Sequence, residues 1–412
     1  MKFIYNLSIH FVYFLLKIIA FFNKKIHLFI EGRKESFNKL SILTEKDKVI
    51  WFHTASLGEF EQGRPILEAL KIQYPNHKIV VTFFSPSGYE IRKKYTQAAI
   101  VCYLPFDTQK NMKRFVKILH PEIAIIVKYE FWPNLLDQLK QQKINTILVS
   151  GIFRENQLFF KKYGGFMRKK LTAFNHFFVQ NKTSKALLNS ANFTNVTVSG
   201  DTRFDRVYTI LQQDNSLDFI KEFTNNTYTV IAGSTWKEDE ELLVHYINEH
   251  ASENEKFIIA PHTIHPEKIK ELKASIAKKT VLYSEKNKLP LHDFQVFIVD
   301  TIGILTKIYS YADVAYVGGG LATGLHNILE PATFGVPVIF GGNKYQKFKE
   351  ACDLLQKGGA SIVTDKKDLS DTLTTLKNNK VLRLSMGETN IQYIKHNIGA
   401  THKILDYIKD NL

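Results

Sequence analysis

Short runs of branched and aromatic apolar residues recur along this chain from Val49 onward, and their spacing constrains the fold more than any other feature. VIWFH from Val49, IVVTFF from Ile79, AIVCYL from Ala99, IAIIV from Ile123, TILVS from Thr146, FFVQN from Phe177 and VTVSG from Val196 are each separated by a segment of helical length. An apolar run without polar alternation suits a strand covered on both faces, and helical spacers supply the crossovers that parallel strands need. The rhythm pauses over the polar residues 214–227 and resumes with YTVIAG from Tyr228, FIIAP from Phe257, VFIVD from Val296, VAYVGGG from Val314, PVIF from Pro337 and SIVT from Ser361. The pattern predicts an α/β chain with two doubly wound, Rossmann-like domains, residues 31–213 and 214–395, facing a cleft. An apolar helix within residues 1–30 precedes them, and a helix over 396–412 follows.

Residues 3–22, FIYNLSIHFVYFLLKIIAFF, are long enough to cross about 30 Å of hydrocarbon as a helix. Asn6, Ser8, His10 and Lys17 interrupt the stretch. A Lys near the bilayer centre costs about 2.5–3.5 kcal/mol, so a helix lying in the interface fits as well as a span. A buried core helix is the remaining alternative. Lys24, Lys25, Arg33 and Lys34 follow, which marks the cytoplasmic side and attracts anionic lipid. Asn23-Lys24-Lys25 stands where a signal peptide would carry small residues, so the segment reads as a retained attachment.

Charge supports that reading. The net +15 is uneven: residues 1–200 carry 30 Lys and Arg against 13 Asp and Glu, a net +17, and the remainder carries 25 against 27, a net −2. Only the first half is built to meet a polyanion, either nucleic acid or an anionic membrane surface. The adjoining apolar segment and the want of any RNA- or DNA-binding motif favour the membrane. Two cysteines, Cys102 and Cys352, are too few for a disulfide framework or a zinc site.

The chemistry-bearing residues cluster where strands are predicted to end. After VIWFH comes Thr54-Ala55-Ser56-Leu57-Gly58-Glu59, a small-residue turn that places Glu59 either as a general base or as a carboxylate stabilising a helix start. After IAIIV come Lys128, Tyr129, Glu130, Phe131, Trp132, Pro133 and Asn134, where Pro133 and Trp132 suit helix initiation and packing while Lys128 and Glu130 call for another role. Arg203, in Asp201-Thr202-Arg203-Phe204-Asp205, either binds phosphate or pairs with a neighbouring aspartate. His262 and His265 follow FIIAP, but a catalytic zinc needs three protein ligands and no third is near in sequence. In Val317-Gly318-Gly319-Gly320 through Leu325-His326-Asn327-Ile328-Leu329-Glu330-Pro331, a strand, a glycine loop and a helix opening around Asn327 suggest an anion site. Glu330 there can accept from a ribose diol.

Together these motifs resemble the 3-deoxy-D-manno-octulosonic acid (Kdo) transferases of lipopolysaccharide assembly, which have the GT-B glycosyltransferase fold. The resemblance runs in order from Glu31-Gly32-Arg33-Lys34 through His53-Thr54-Ala55-Ser56-Leu57-Gly58-Glu59 and Glu130-Phe131-Trp132-Pro133-Asn134. It continues through Gly233-Ser234-Thr235-Trp236, Asp300-Thr301-x-Gly303 and His326-Asn327-Ile328-Leu329-Glu330. It implies an inverting transfer of Kdo from CMP-Kdo to a lipid A precursor at the cytoplasmic face of the inner membrane, with no metal cofactor. Glu59 would be the general base, with Arg203 stabilising the transition state. Ser56, Gly58 and Glu130 would lie on the acceptor side. Donor contacts would fall on Pro261 and His262, on Ile302, Gly303 and Ile304, and on Asn327, Ile328, Leu329 and Glu330, with Gly319 and Gly320 in the preceding loop.

The chain departs from the family in two places. Lys128 stands where many members have a glutamate, so a cation there would oppose donor negative charge in place of the carboxylate. His262 follows Pro261 where members often have arginine. Two other readings stay open: a membrane-surface GT-B transferase using a UDP-sugar, and a non-catalytic sensor of nucleotide or lipid.

Overall fold

The unbroken apolar runs form strands because each has helices on both sides to bury it. The structure is a computed structural model that describes residues 1–287 and 289–412. Its contacts divide it into one unit of residues 1–205 with 398–412 and a second of residues 206–397.

Among the described residues, the first unit holds seven parallel strands: β1 (Val49–Thr54), β2 (Lys78–Phe83), β3 (Ile100–Tyr103), β4 (Ile123–Val127), β5 (Asn145–Gly151), β6 (His176–Val179) and β7 (Val196–Val198). Their order is β3-β2-β1-β4-β5-β6-β7. Every residue of β1 and β4 is buried. Trp51, Val80, Ala124 and Leu148 pack into the core on one face, and Ile50, Phe52, Val81 and Ile125 into the core on the other. The order reverses between β1 and β4, the position at which open α/β sheets bind ligands beyond their strands' carboxyl ends.

The second unit repeats the plan with β8 (Tyr228–Thr235), β9 (Glu255–Pro261), β10 (Thr280–Leu282), β11 (Val296–Ile298), β12 (Val314–Val317), β13 (Val338–Gly341) and β14 (Ala360–Val363). Their order is β10-β11-β9-β8-β12-β13-β14, so its reversal lies between β8 and β12. Val230, Phe257 and Tyr316 face one core, and Ile231, Ile258 and Ala315 the other.

The division falls within the helix Thr202–Ile210, upstream of the polar residues 214–227 where the sequence places a boundary. Two bonds hold the start of that helix to the first unit. The Thr202 hydroxyl donates to the Gln62 carbonyl at 2.5 Å, and Asp205 accepts from the Thr401 backbone at 2.8 Å. The terminal helix Ala400–Asn411 belongs to the first unit as well, with Ile404 and Ile408 fully buried in the core that contains Ile66, Leu70 and Phe178.

At the amino terminus, helix Lys2–Ile19 buries none of its residues and is the one helix, among the described residues, long and apolar enough to cross a membrane. Asn23 then caps helix Lys24–Lys34 by accepting from the Lys25 and Ile26 amides.

Candidate active site

In the first unit Ser56, Gly58, Glu59, Lys128, Glu130 and Arg203 all follow the carboxyl ends of β1, β4 or β7, and β1 and β4 flank the reversal. Glu59 lies in the first turn of helix Leu57–Gln73, where unpaired amides favour a carboxylate, and the Ser56 hydroxyl donates to it. The helix-start role and a proton-accepting role are therefore compatible, since the same placement leaves the carboxylate half-exposed.

Glu130 is buried at the end of a directed chain of hydrogen bonds. The Trp51 indole, which can only donate, lies 2.9 Å from the Thr82 hydroxyl, and that hydroxyl lies 2.9 Å from His53 Nδ1. Nε2–H of His53 is left to donate to Glu130 at 3.1 Å, and the Trp132 indole donates to the same carboxylate oxygen at 2.7 Å. Burial works to raise the Glu130 pKa. His53, the Trp132 hydrogen bond and the nearby Arg33 charge outweigh it and hold the carboxyl below its ordinary value. Arg33 is buried too, donating to the Phe29 and Phe84 carbonyls at 2.8 and 2.6 Å with its guanidinium 3.6 Å from the Phe29 ring. Burial lowers its pKa to about 9, which leaves it a cation at neutral pH.

Lys128 has a left-handed backbone, φ 65°, and so does Ser150 at the next strand, φ 54°. A non-glycine residue pays about 1–2 kcal/mol for this, and such strain gathers at functional sites. The Lys128 amide bonds to the Val149 carbonyl at 3.0 Å and its ammonium lies 5.7 Å from the Tyr129 ring centre. Arg203 takes the aspartate-paired option left open by its sequence: Nε and Nη2 lie 2.9 and 2.7 Å from one oxygen of Asp201.

In the second unit three separate stretches converge. Pro261 ends β9, and the ring of His262 stacks on that of His326 at 4.5 Å and on Trp236 at 4.8 Å. Trp236 Nε1 donates to His326 Nε2 at 3.1 Å. Burial, with His262 nearby, depresses the His326 pKa to about 4, and burial also lowers that of His262. Glu330 accepts from Thr306 at 2.8 Å and from Asn327 at 3.1 Å, which ties the 327–330 turn to the segment carrying Ile302, Gly303 and Ile304. Ile302 is 88% exposed, Gly303 has φ 97°, and Ile304 packs into the core.

Asp239 fixes the glycine loop by accepting from the amides of Gly319 and Trp236 at 2.9 and 3.0 Å and from the Tyr316 hydroxyl at 2.7 Å. A Cβ on Gly320 would fall 2.0 Å from the Gly341 carbonyl oxygen. One expectation needs correction. The helix is Leu329–Thr333, with Ile328 before it, so it begins two residues later than Asn327 and spans only five residues. Gly335, φ 72°, follows its end, and so short a helix contributes little dipole to an anion site. Asn327, Ile328, Leu329 and Glu330 form a tight turn in which the Asn327 side chain accepts from the Leu329 amide at 3.2 Å.

Trp236, His326, Asp239, His53 and Arg33 are site residues that strand-end reasoning did not single out. All but Asp239 lie within the motifs named above, but their roles depend on contacts between segments far apart in sequence. Among the described residues no three His, Cys, Asp or Glu side chains gather as a metal site.

Two parallel-sheet units of this kind define the GT-B fold. Solved structures share the fold: the UDP-GlcNAc 2-epimerase of Neisseria meningitidis bound to UDP-GlcNAc matches with TM-score 0.59 at 14% identity, covering 88% of this chain and 100% of that one. MurG of Acinetobacter baumannii matches with TM-score 0.56 at 14% identity, covering 88% and 99%. Residues 31–206 match the family described as 3-deoxy-D-manno-octulosonic-acid transferase (kdotransferase). The 3-deoxy-D-manno-octulosonic acid transferase of Chlamydophila psittaci is 29% identical over 345 residues, covering 80% of this chain and 77% of that protein. That of Haemophilus influenzae is 25% identical over 374 residues, covering 88% and 87%. Over residues 31–206 the chain matches the Kdo transferase family, over most of its length it is similar to Kdo transferases, and it is a glycosyltransferase.

Proposed function

We propose that this enzyme transfers Kdo from CMP-Kdo to a hydroxyl of a lipid A precursor, with inversion at the anomeric carbon, in lipopolysaccharide assembly. Similarity to Kdo transferases carries the substrate assignment, and the placement of Glu59 supports the mechanism. Glu59 takes the proton of the acceptor hydroxyl as that oxygen attacks the anomeric carbon and the bond to CMP breaks. Arg203 and Lys128 oppose the negative charge of donor and leaving phosphate. Ser56 orients the Glu59 carboxylate, and Glu130, kept ionised by His53 and Trp132, accepts hydrogen bonds from the acceptor sugar.

The second unit holds CMP-Kdo. Pro261, His262, Ile302, Gly303, Ile304 and the turn from Asn327 to Glu330 bind the nucleotide, with Gly319 and Gly320 allowing backbone approach. No metal takes part; the cationic side chains serve instead. The basic first unit and its apolar helix support attachment at the cytoplasmic face of the inner membrane, against anionic lipid.

Glu59→Gln keeps the shape and removes the base, so transfer falls by at least about a hundredfold, the scale of general-base loss. A folded variant transferring at the wild-type rate contradicts the assignment. Transfer continues in the presence of a chelator; loss restored only by a divalent ion contradicts the metal-free mechanism.

A further inference from the structure

The amino-terminal helix is held to the first unit by polar bonds at its start and by apolar packing further along. Lys2 pairs with Asp137 at 3.0 Å, the Tyr5 hydroxyl donates to Asp107 at 2.7 Å, and Asn6 accepts from the Asn134 side chain at 2.9 Å. Ile9, Tyr13, Leu16 and Ala20 pack against Phe29, Ile30 and Phe106. These positions recur in steps of three and four and so form one face. The other face presents Phe3, Leu7, Phe11, Phe14 and Ile18, between 45% and 77% exposed.

An 18-residue helix is about 27 Å long. If it crossed a bilayer, Lys2, Tyr5 and Asn6 would lie at the far side, stripped of their partners, at a cost of several kcal/mol. Here the polar partners of its first turns and the apolar partners of its last turns belong to the same unit. Lys17, Lys24 and Lys25 lie at or just beyond the end of the apolar stretch in sequence, which suits an anionic lipid surface.

Asp107 links this helix to the candidate site. It is 3% exposed and accepts from the Asn134 and Leu135 amides at 3.0 and 2.8 Å, satisfying the start of helix Pro133–Gln141. That start directly follows Glu130 and Trp132, and Trp132 stacks on Phe84 at 4.7 Å. The same carboxylate therefore bonds both the amino-terminal helix and the start of the helix that directly follows the Glu130 segment.

We propose that the amino-terminal helix lies in the plane of an anionic membrane surface and, through a latch of Tyr5, Asn6, Asp107 and Asn134, holds the 128–134 loop in its working conformation. Its orientation stands on geometry alone; the effect on turnover rests on the Kdo transfer proposed above. Tyr5 and Asn6 are positioning residues, since they act through Asp107 and Asn134.

Two measurements on the full chain in membranes test this. Lys2→Cys in a Cys352→Ser background should react with a membrane-impermeant maleimide in inside-out vesicles and not in intact spheroplasts. Labelling from outside the spheroplast overturns the in-plane orientation. Tyr5→Phe and Asn6→Leu keep the exposed apolar face, so both variants should bind phosphatidylglycerol vesicles as the wild type does. Their kcat should fall about tenfold with the CMP-Kdo KM unchanged, the effect of losing one part-buried hydrogen bond to a charged or amide partner. Wild-type kcat in both variants overturns the latch. If the wild type itself transfers no Kdo, the proposed reaction fails, while the labelling still decides the orientation.

Discussion

The Trp236 indole and the His326 imidazole share a hydrogen bond of 3.1 Å, and because the indole can only donate, His326 Nε2 must be the acceptor. His326 is then neutral with its proton on Nδ1, stacked on His262 at the reversal point of the second sheet. Trp236→Phe preserves the ring and removes the donor. We expect the KM for CMP-Kdo to rise about fivefold, the equivalent of about 1 kcal/mol, with the acceptor KM unchanged. Steady-state kinetics with each substrate varied in turn checks this, and an unchanged donor KM contradicts it.

The same group makes the second unit acid-sensitive. His326 titrates near 4 in the fold, below the ordinary histidine value near 6.5. The unfolded chain therefore binds this proton more readily between those values. Stability from keeping His326 neutral is fully present above about 6.5 and is lost as the pH falls toward 4. Thermal melts from pH 7 to 4 should show a declining Tm whose slope is reduced in His326→Gln; equal slopes contradict the assignment.

The His53–Glu130 pair is buried, and removing one partner leaves the other uncompensated. His53→Leu should destabilise the first unit by about 3–5 kcal/mol and abolish transfer. Trp132→Phe, which removes only a second donor to Glu130, should fold and lose activity partially. Urea unfolding and transfer assays on the two variants check this ordering.

Ile404 and Ile408 fill the first unit's core from the far end of the chain. Ile404→Ala should cost about 2–5 kcal/mol, measured by urea denaturation. A loss below about 1 kcal/mol would show that the terminal helix is not part of that core.

Cys102 is fully buried, and burial pushes its thiol pKa up to about 12, whereas Cys352 is partly accessible. A thiol reagent should modify one cysteine in the folded protein and two in denaturant. Rapid modification of both under native conditions contradicts the burial of β3.

Most of the fold was legible because the unbroken apolar runs have only one use, as strands buried on both faces. β10 was not foreseen: Thr280–Leu282 is a three-residue edge strand, too short for its pattern to stand out. The five-residue length of Leu329–Thr333 was also hidden, since the glycine loop before it does not reveal where Gly335 will end the helix. Glu59, Glu130 and Arg203 could be found as charges at strand ends. The hydrogen-bond chain through Trp51, Thr82 and His53, and the Trp236–His262–His326 stack, could not. They depend on parallel registers that pair His53 with Thr82 and place β9, β8 and β12 side by side.

Transfer of Kdo is itself open to direct measurement. The most direct test is mass spectrometry of the product formed by the purified full chain from CMP-Kdo and a tetra-acylated, bisphosphorylated lipid A precursor, with a UDP-sugar as the competing donor. We expect an acceptor heavier by one or more Kdo residues, with one CMP released for each Kdo added and no product from the UDP-sugar. An unmodified acceptor with CMP-Kdo, or a product formed only from the UDP-sugar, would contradict it.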